Sequence, residues 1–237
     1  MRCAAIFAAF MLIFAAEPAP AQSTSVSGHI VLVNKTESRK MGDASPAVVW
    51  LTPVSPMRQD SNPPRSGLKL VQKNKNFEPH LLIVPVGSVV EFPNHDPFFH
   101  NVFSLFEGKR FDLGLYEAGA SRNVRFDRVG VSYIFCNIHP QMSAVIIALD
   151  TPHYAVSDRS GGVSIPDVPP GRYMLHVWHE RASQDYLKGL TREVTITTEH
   201  HTLDDLRIEQ TQTLLAHKNK YGRDYDPADS QGAYKPQ

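Results

Sequence analysis

Three side chains with an affinity for soft metals, Cys136, His139 and Met142, fall in one short stretch, Tyr133-Ile134-Phe135-Cys136-Asn137-Ile138-His139-Pro140-Gln141-Met142. A thiolate, a neutral imidazole nitrogen and a thioether form a donor set that suits copper far better than magnesium or calcium. Zinc competes for the thiol and imidazole, but its structural sites normally take four strong donors. A thioether in fourth place marks a long axial bond to copper. A trigonal site asks for one more imidazole, and Phe98-Phe99-His100-Asn101-Val102 supplies it at the start of another strand-like segment. The expected metal ligands are His100, Cys136, His139 and Met142.

The cysteine content adds to this expectation. The chain has two cysteines, and Cys3 precedes an apolar run, Ala4 to Ala16, that ends in Ala19-Pro20-Ala21. A basic start, a short apolar run and a small-x-small site have the pattern of a secretory leader, so residues 1–21 are expected to be removed on export to the periplasm or outside. An uncleaved N-terminal anchor is the alternative. Cys136 would then be the sole thiol, with no intramolecular disulfide open to it. A lone thiol in an oxidising compartment oxidises or dimerises unless buried or metal-bound. No later segment approaches the roughly 20 apolar residues of a spanning helix, so no transmembrane segment is expected after cleavage. Lys plus Arg total 24 and Asp plus Glu total 24, a balance that provides no basic footprint for nucleic acid.

The elements that must hold these donors read as strands. Gly and Pro punctuate short runs rich in Val, Ile, Phe and Tyr, the pattern of an all-β protein built from antiparallel sandwiches. Strands are expected at 29–33, 48–52, 68–73, 81–84, 88–92, 101–105, 122–127, 131–135, 144–149, 162–165, 172–178 and 192–197, with no helix before the tail. Ser55 to Ser66 is polar and Pro-rich and reads as a loop or boundary. Residues 211–220 could form a short helix, and the polar end of the chain reads as a mobile tail.

Residues 77–149 resemble a cupredoxin. The resemblance rests on Phe77-x-Pro79, on Val86-Gly87-Ser88-Val89-Val90-Glu91-Phe92-x-Asn94-x-Asp96, on His100-Asn101-Val102, and on the Cys136 loop, whose C-x2-H-P-x-M spacing is similar to that of amicyanins. It implies a Greek-key β-sandwich holding one type 1 copper ion, with His100, Cys136 and His139 equatorial and Met142 axial. It also implies that Asn101 locks the two ligand loops together by hydrogen bonds. After residue 149 the pattern Asp158-x-x-Gly161, Ile165, Val168-Pro169-Pro170-Gly171-x-Tyr173-x-Leu175 resembles the carboxypeptidase-regulatory, transthyretin-like β-sandwich. That family opens with two strands missing just before Asp158. Ser27-Gly28-His29-Ile30-Val31-Leu32 and Pro46-Ala47-Val48-Val49-Trp50-Leu51 fit them, so the copper domain could be inserted into a split second sandwich. The alternative is that these strands begin the middle domain. The expected organisation is leader 1–21, N-terminal strands 22–60, cupredoxin domain 61–150, second sandwich 151–210 and polar tail 211–237.

A site closed by four ligands offers one-electron, outer-sphere chemistry rather than catalysis. The expected partner is a redox protein such as a cytochrome, a dehydrogenase or an oxidase, docking where the resemblance places the His139 edge, beside Pro140 and Phe98. The reading from a different class is a non-redox copper-binding or envelope- or glycan-binding module, with Trp178 and Tyr173 as candidate sugar-stacking rings. Of the other histidines, His95 is expected to be solvated or to lie behind the ligands. His176 and His179 are an odd step apart, on opposite faces of a strand. His200 and His201 mark a turn, and His80 has no evident partner.

Overall fold

In the computed structural model the described residues are 23–34, 46–55, 61–105, 107–199, 201–210 and 218–225. The expected leader and most of the expected 211–220 helix lie outside them. The strands run β1 Thr24–Asn34, β2 Val48–Pro53, β3 Leu68–Lys69, β4 Val71–Lys73, β5 Asn76–Glu78, β6 Leu81–Pro85, β7 Val89–Pro93, β8 His100–Ser104, β9 Phe111–Tyr116, β10 Ser121–Arg125, β11 Gly130–Cys136 and β12 Ser143–Leu149. They continue with β13 Tyr154–Val156, β14 Gly162–Val168, β15 Gly171–Trp178, β16 Arg192–Ile196, β17 His201–Thr202 and β18 Leu206–Gln210. The described residues are all-β apart from one helix, α1 Gln184–Leu190, at a place where no helix was expected. Seven residues are too few for a periodic apolar stripe. What starts α1 is local: the Ser183 hydroxyl caps it by accepting the Tyr186 N–H.

The expected strand at 68–73 is interrupted at Leu70. Its first part, β3, lies parallel to β7 and its second, β4, pairs with β5.

The middle of the chain forms the sheets β10-β7-β3 and β6-β12-β11-β8-β9, with the hairpin β4-β5 beside them. The two N-terminal strands pair with the C-terminal ones instead. β1 runs antiparallel to β14 and parallel to β17 and β18, and β2 lies between β13 and β15 in the sheet β13-β2-β15-β16. The chain's entry into and exit from the middle part are tied together. Asn62 Nδ2 donates to the carbonyls of Leu149 at 3.0 Å and Thr151 at 2.9 Å, and the Thr151 hydroxyl donates to Leu51 O at 2.8 Å.

Turn chemistry shapes the sheets that β1 and β2 share with the C-terminal strands. The Asp158 carboxylate accepts from Ser160 N, Ser160 Oγ and Gly162 N, and Gly161 sits at φ +93° where a Cβ would lie 2.4 Å from the Ile30 carbonyl. Only glycine fits that approach. Pro169-Pro170 separates β14 from β15, and the buried Tyr173 hydroxyl closes back on Pro169 O at 2.8 Å. Tyr173 and Trp178, the candidate sugar-stacking rings, are 0 % and 3 % exposed, so both are core residues and form no glycan platform. Apolar packing outweighed aromatic character at those strand positions.

β12 joins the two halves. Ala144, Ile146 and Ala148 pack into the core of the middle sheets, while Val145, Ile147 and Leu149, on the other face, belong to the core that includes Ile30, Leu51, Ile165 and Leu175. A strand buried on both faces reads as an unbroken apolar run, and Ala144–Leu149 is one.

His80, which has no evident partner in the sequence, bridges the halves. Its Nε2 lies 3.0 Å from Glu180 Oε1 and its Nδ1 3.1 Å from Ser143 O. Both ring nitrogens face acceptors, so the imidazolium satisfies two oxygens at once, and the Glu180 hydrogen bond raises the His80 pKa against the opposing effect of burial. A group whose folded pKa is raised contributes stability below the unfolded value of 6.5, and that contribution is lost as pH rises through the folded value. The side chain is 44 % exposed, which keeps the contribution small. His80→Gln should cost ~0.5 kcal/mol in urea unfolding at about pH 5.5 and close to nothing at about pH 9; an equal cost at both would show that the charge is not involved.

Candidate metal centre

The site is assembled where three strand ends meet. β11 ends at Cys136, β12 starts at Ser143, and the pair Phe135–Ser143 closes the loop between them. Within that loop Met142 N donates to His139 O at 3.0 Å and Cys136 N to Met142 O at 3.3 Å, a tight circuit of backbone bonds. His100 opens β8, which pairs with β11 through Phe103–Phe135 and Val102–Cys136.

These elements bring His100, Cys136 and His139 together, with their donor atoms all within 4.8 Å of one another. Nδ1 of His100 and Nδ1 of His139 each lie 3.6 Å from Cys136 Sγ. Two donors bound about 2.0 and 2.3 Å from one ion, at angles from tetrahedral to trigonal, are roughly 3.5–3.8 Å apart. The observed spacing therefore fits a shared metal. Met142, the fourth expected ligand, is fully buried in the same core cluster as Cys136.

All of these groups are held in neutral form. Burial lowers the pKa of His100, and burial followed by the neighbouring His100 and Lys75 charges lowers His139 to about 4. Both imidazoles thus keep a lone pair at neutral pH. Burial pushes the Cys136 thiol up, while backbone N–H groups of Ile138, Asn101 and His139 oppose it and favour the thiolate. Phe98 lines the pocket, its ring centroid 5.2 Å from His100 and 5.6 Å from His139, and Lys75 Nζ lies 5.5 Å from the Phe98 centroid.

Asp96 is the site residue that carried no role in the sequence reading. Its carboxylate, 5 % exposed, accepts from Asn74 N at 2.6 Å, Lys75 N at 2.9 Å and His100 Nε2 at 2.9 Å. Burial works to raise its pKa, but the bonds from Lys75, His100 and Asn74 together outweigh it and hold the carboxyl below its usual range. An ionised Asp96 fixes the proton of neutral His100 on Nε2 and leaves the Nδ1 lone pair facing Cys136. The two amides come from the β4–β5 turn, where Asn74 and Lys75 adopt φ of 53° and 55°. The spacing Asp96-x3-His100 was the available signal.

Asn101 makes its tie between the ligand loops through the main chain. Its side chain donates to Asp112 Oδ1 at 2.7 Å on β9 instead of reaching the Cys136 loop. The two ligand loops are tied through its main chain, whose carbonyl accepts Asn137 N at 3.2 Å.

The other histidines stay apart from this group. His95 is exposed, His176 stacks on Trp50 with centroids 5.1 Å apart, and His201 lies in β17. His179 is buried beyond the end of β15, where its Nδ1 accepts Arg181 N at 3.2 Å.

Residues beyond β18 also belong to the site. Residues 218–225, expected as the end of a short helix followed from 221 by a mobile tail, lie against the ligand loop: Tyr225 OH donates to Cys136 O at 2.7 Å, Lys220 N to Asn137 Oδ1 at 2.9 Å, and Lys220 Nζ pairs with Asp112 at 2.8 Å. Contacts with residues so distant in sequence leave no local pattern.

No family model and no curated protein matches the chain. Solved structures similar to it include a purple cupredoxin from Nitrosopumilus maritimus, 22 % identical, covering 35 % of this chain and 99 % of its own, with a TM-score of 0.32. An oxidised amicyanin variant is 17 % identical, with 42 % and 99 % coverage and a TM-score of 0.34. The copper-containing nitrite reductase of Thermus scotoductus is 22 % identical over 50 % of this chain, which spans 28 % of the reductase, with a TM-score of 0.34.

Two neutral imidazoles and one protonated thiol set the proton count on loading. Cu(II) binding at about pH 7 should release about one proton, read from calorimetry in buffers of different ionisation enthalpy, and Cys136→Ala should abolish that release. Proton release that persists in Cys136→Ala would mean that the thiol is not a ligand.

Proposed function

We propose that this chain is an exported one-electron carrier holding a single type 1 copper ion through His100, Cys136, His139 and Met142. The observation that carries the reading is the buried triad of two Nδ1 atoms and one Sγ within 4.8 Å, with Met142 buried in the same core. The donor set argues against structural zinc, which asks for a fourth strong donor. Among the described residues the triad is the only such cluster, and the nearby Asp96 carboxylate is committed to the far nitrogen of His100 and to two backbone amides.

Copper bound here would supply a one-electron couple. The chain's own residues supply the rest. Asp96 orients His100, the amides around Sγ favour the thiolate, and the apolar wall of Phe98, Val102, Ile134 and Met142 keeps water out. His139, at 8 %, is more exposed than His100, Cys136 and Met142, each at 0 %. A redox partner, of the cytochrome, dehydrogenase or oxidase class, would thus approach at the His139 edge, through the small and transient kind of interface such encounters use. Export to the periplasm rests on the leader-like residues 1–21.

Protein loaded with Cu(II) should be blue or green, with an EPR spectrum of a copper thiolate, and Cys136→Ala should be colourless. A colourless parent protein that takes up zinc in preference would overturn the reading.

A further inference from the structure

The backbone at the thiol ligand has one anchor that comes from outside both sandwiches. Residues 218–225 follow a strand of the second sandwich, β18, yet dock on the metal half of the molecule. They form a compact turn of their own. Asn219 N donates to Arg223 O and Gly222 N to Asn219 O, each at 2.9 Å, while Asn219 Oδ1 accepts Tyr221 N and Arg223 N. A turn fixed internally in this way reaches its docking site with little left to order.

Its contacts reach the ligand loop at two adjoining residues, the Cys136 carbonyl and the Asn137 side chain. The carbonyl of Cys136 accepts the Tyr225 hydroxyl at 2.7 Å. Asn137 N is held by Asn101 O, and Asn137 Oδ1 by Lys220 N. Lys220 Nζ reaches Asp112, which also takes the Asn101 side chain, so the same turn braces the strand beneath the loop. Cys136 lies at the end of β11, where a carbonyl beyond the ladder needs a partner from elsewhere. Tyr225 provides it from 89 residues away.

We propose that Tyr225 is a positioning residue for the metal centre: by holding the Cys136 carbonyl it fixes the Cys136–Asn137 peptide and thereby the direction of the thiolate. This rests on the copper reading for its consequence, but not for its geometry, so the two can be tested apart.

The first measurement uses metal-free protein without residues 1–21, in which Cys136 is the single thiol, and the rate at which a thiol reagent modifies Cys136, which is 0 % exposed. Tyr225→Phe removes the hydroxyl and keeps the ring, and should raise that rate at least about threefold, the scale of one lost hydrogen bond. Lys220→Ala should act in the same direction, and Arg223→Ala, which joins the turn through its main chain and keeps those bonds, should leave the rate unchanged. The second measurement is the thiolate-to-copper absorption and the midpoint potential of the loaded protein, both of which should shift in Tyr225→Phe. A purely structural tail would lower the melting temperature and leave band and potential in place. Equal thiol reactivity in the parent and Tyr225→Phe overturns the proposal. A parent protein without a copper band overturns the copper reading, and the thiol rates then still decide the role of Tyr225.

Discussion

β12 lies between β6 and β11 and is buried on both faces, and the ligand loop hangs from its first residue. Its side chains are graded by size: Ala144, Ile146 and Ala148 face the middle sheets, while Val145, Ile147 and Leu149 face the other half. A slip of one residue would exchange the faces and drive valine and leucine into the space of two alanines. Overpacking of that kind typically costs 1–3 kcal/mol. The register of β12 is thereby fixed by volume, although both faces are apolar. Fixing it fixes Ser143 against Phe135, and with them the span that the loop from Cys136 to Met142 must close.

With the loop's ends set, the remaining problem is electrostatic. A thiol, two imidazoles and a carboxylate are packed into a pocket from which water is largely excluded, and unpaired charge there is costly. The chain resolves this by keeping three of the four neutral and giving the fourth a full set of donors. Asp96 carries the charge and takes two backbone amides and one imidazole N–H. The amides that approach Cys136 Sγ from Ile138, Asn101 and His139 favour a thiolate in advance of any cation. The pocket is thus arranged for the charge distribution of a loaded centre, and its empty form is protonated at sulfur.

Much of this was legible in the sequence, and the limits have physical causes. The three His and Cys donors stood out because their type, order and spacing are local properties of two short segments, and the structure places them together. The strands were legible where Val, Ile and Phe alternate or run unbroken; β5, β9, β13, β17 and β18 were missed because β5 and β13 are three residues long and β17 two, β9 carries Gly114 and Asp112 within its run, and β18 has only Leu206 and Ile208 as apolar positions. The pairing of β1 and β2 with the C-terminal strands stood as one of two open topologies, since strand partners separated by more than a hundred residues leave no periodicity to read. The tie that Asn101 makes between the ligand loops runs through its main chain, which its residue type does not reveal, while its side chain goes to Asp112. Asp96 and Tyr225 act through one carboxylate and one hydroxyl at positions that composition cannot distinguish from any polar loop.

The order in which the strands pair has a consequence for how the two halves support each other. β2 must find β13 and β15 across the whole middle segment, and a loop of that length has an entropic cost that grows with the logarithm of its span. Once the middle sheets are folded, Asn62 ties their entry to the carbonyls of Leu149 and Thr151, and Thr151 reaches Leu51 itself. The effective span shrinks to a few residues, and each tenfold reduction is worth about 2 kcal/mol by the same logarithm. Closing β2 against β13 and β15 therefore costs less with the middle sheets in place. In return the half containing β2 covers Val145, Ile147 and Leu149, the outer face of the strand from which the ligand loop hangs. Stability on one side is converted into precision of the loop on the other, where the two imidazole nitrogens each sit 3.6 Å from the thiol sulfur.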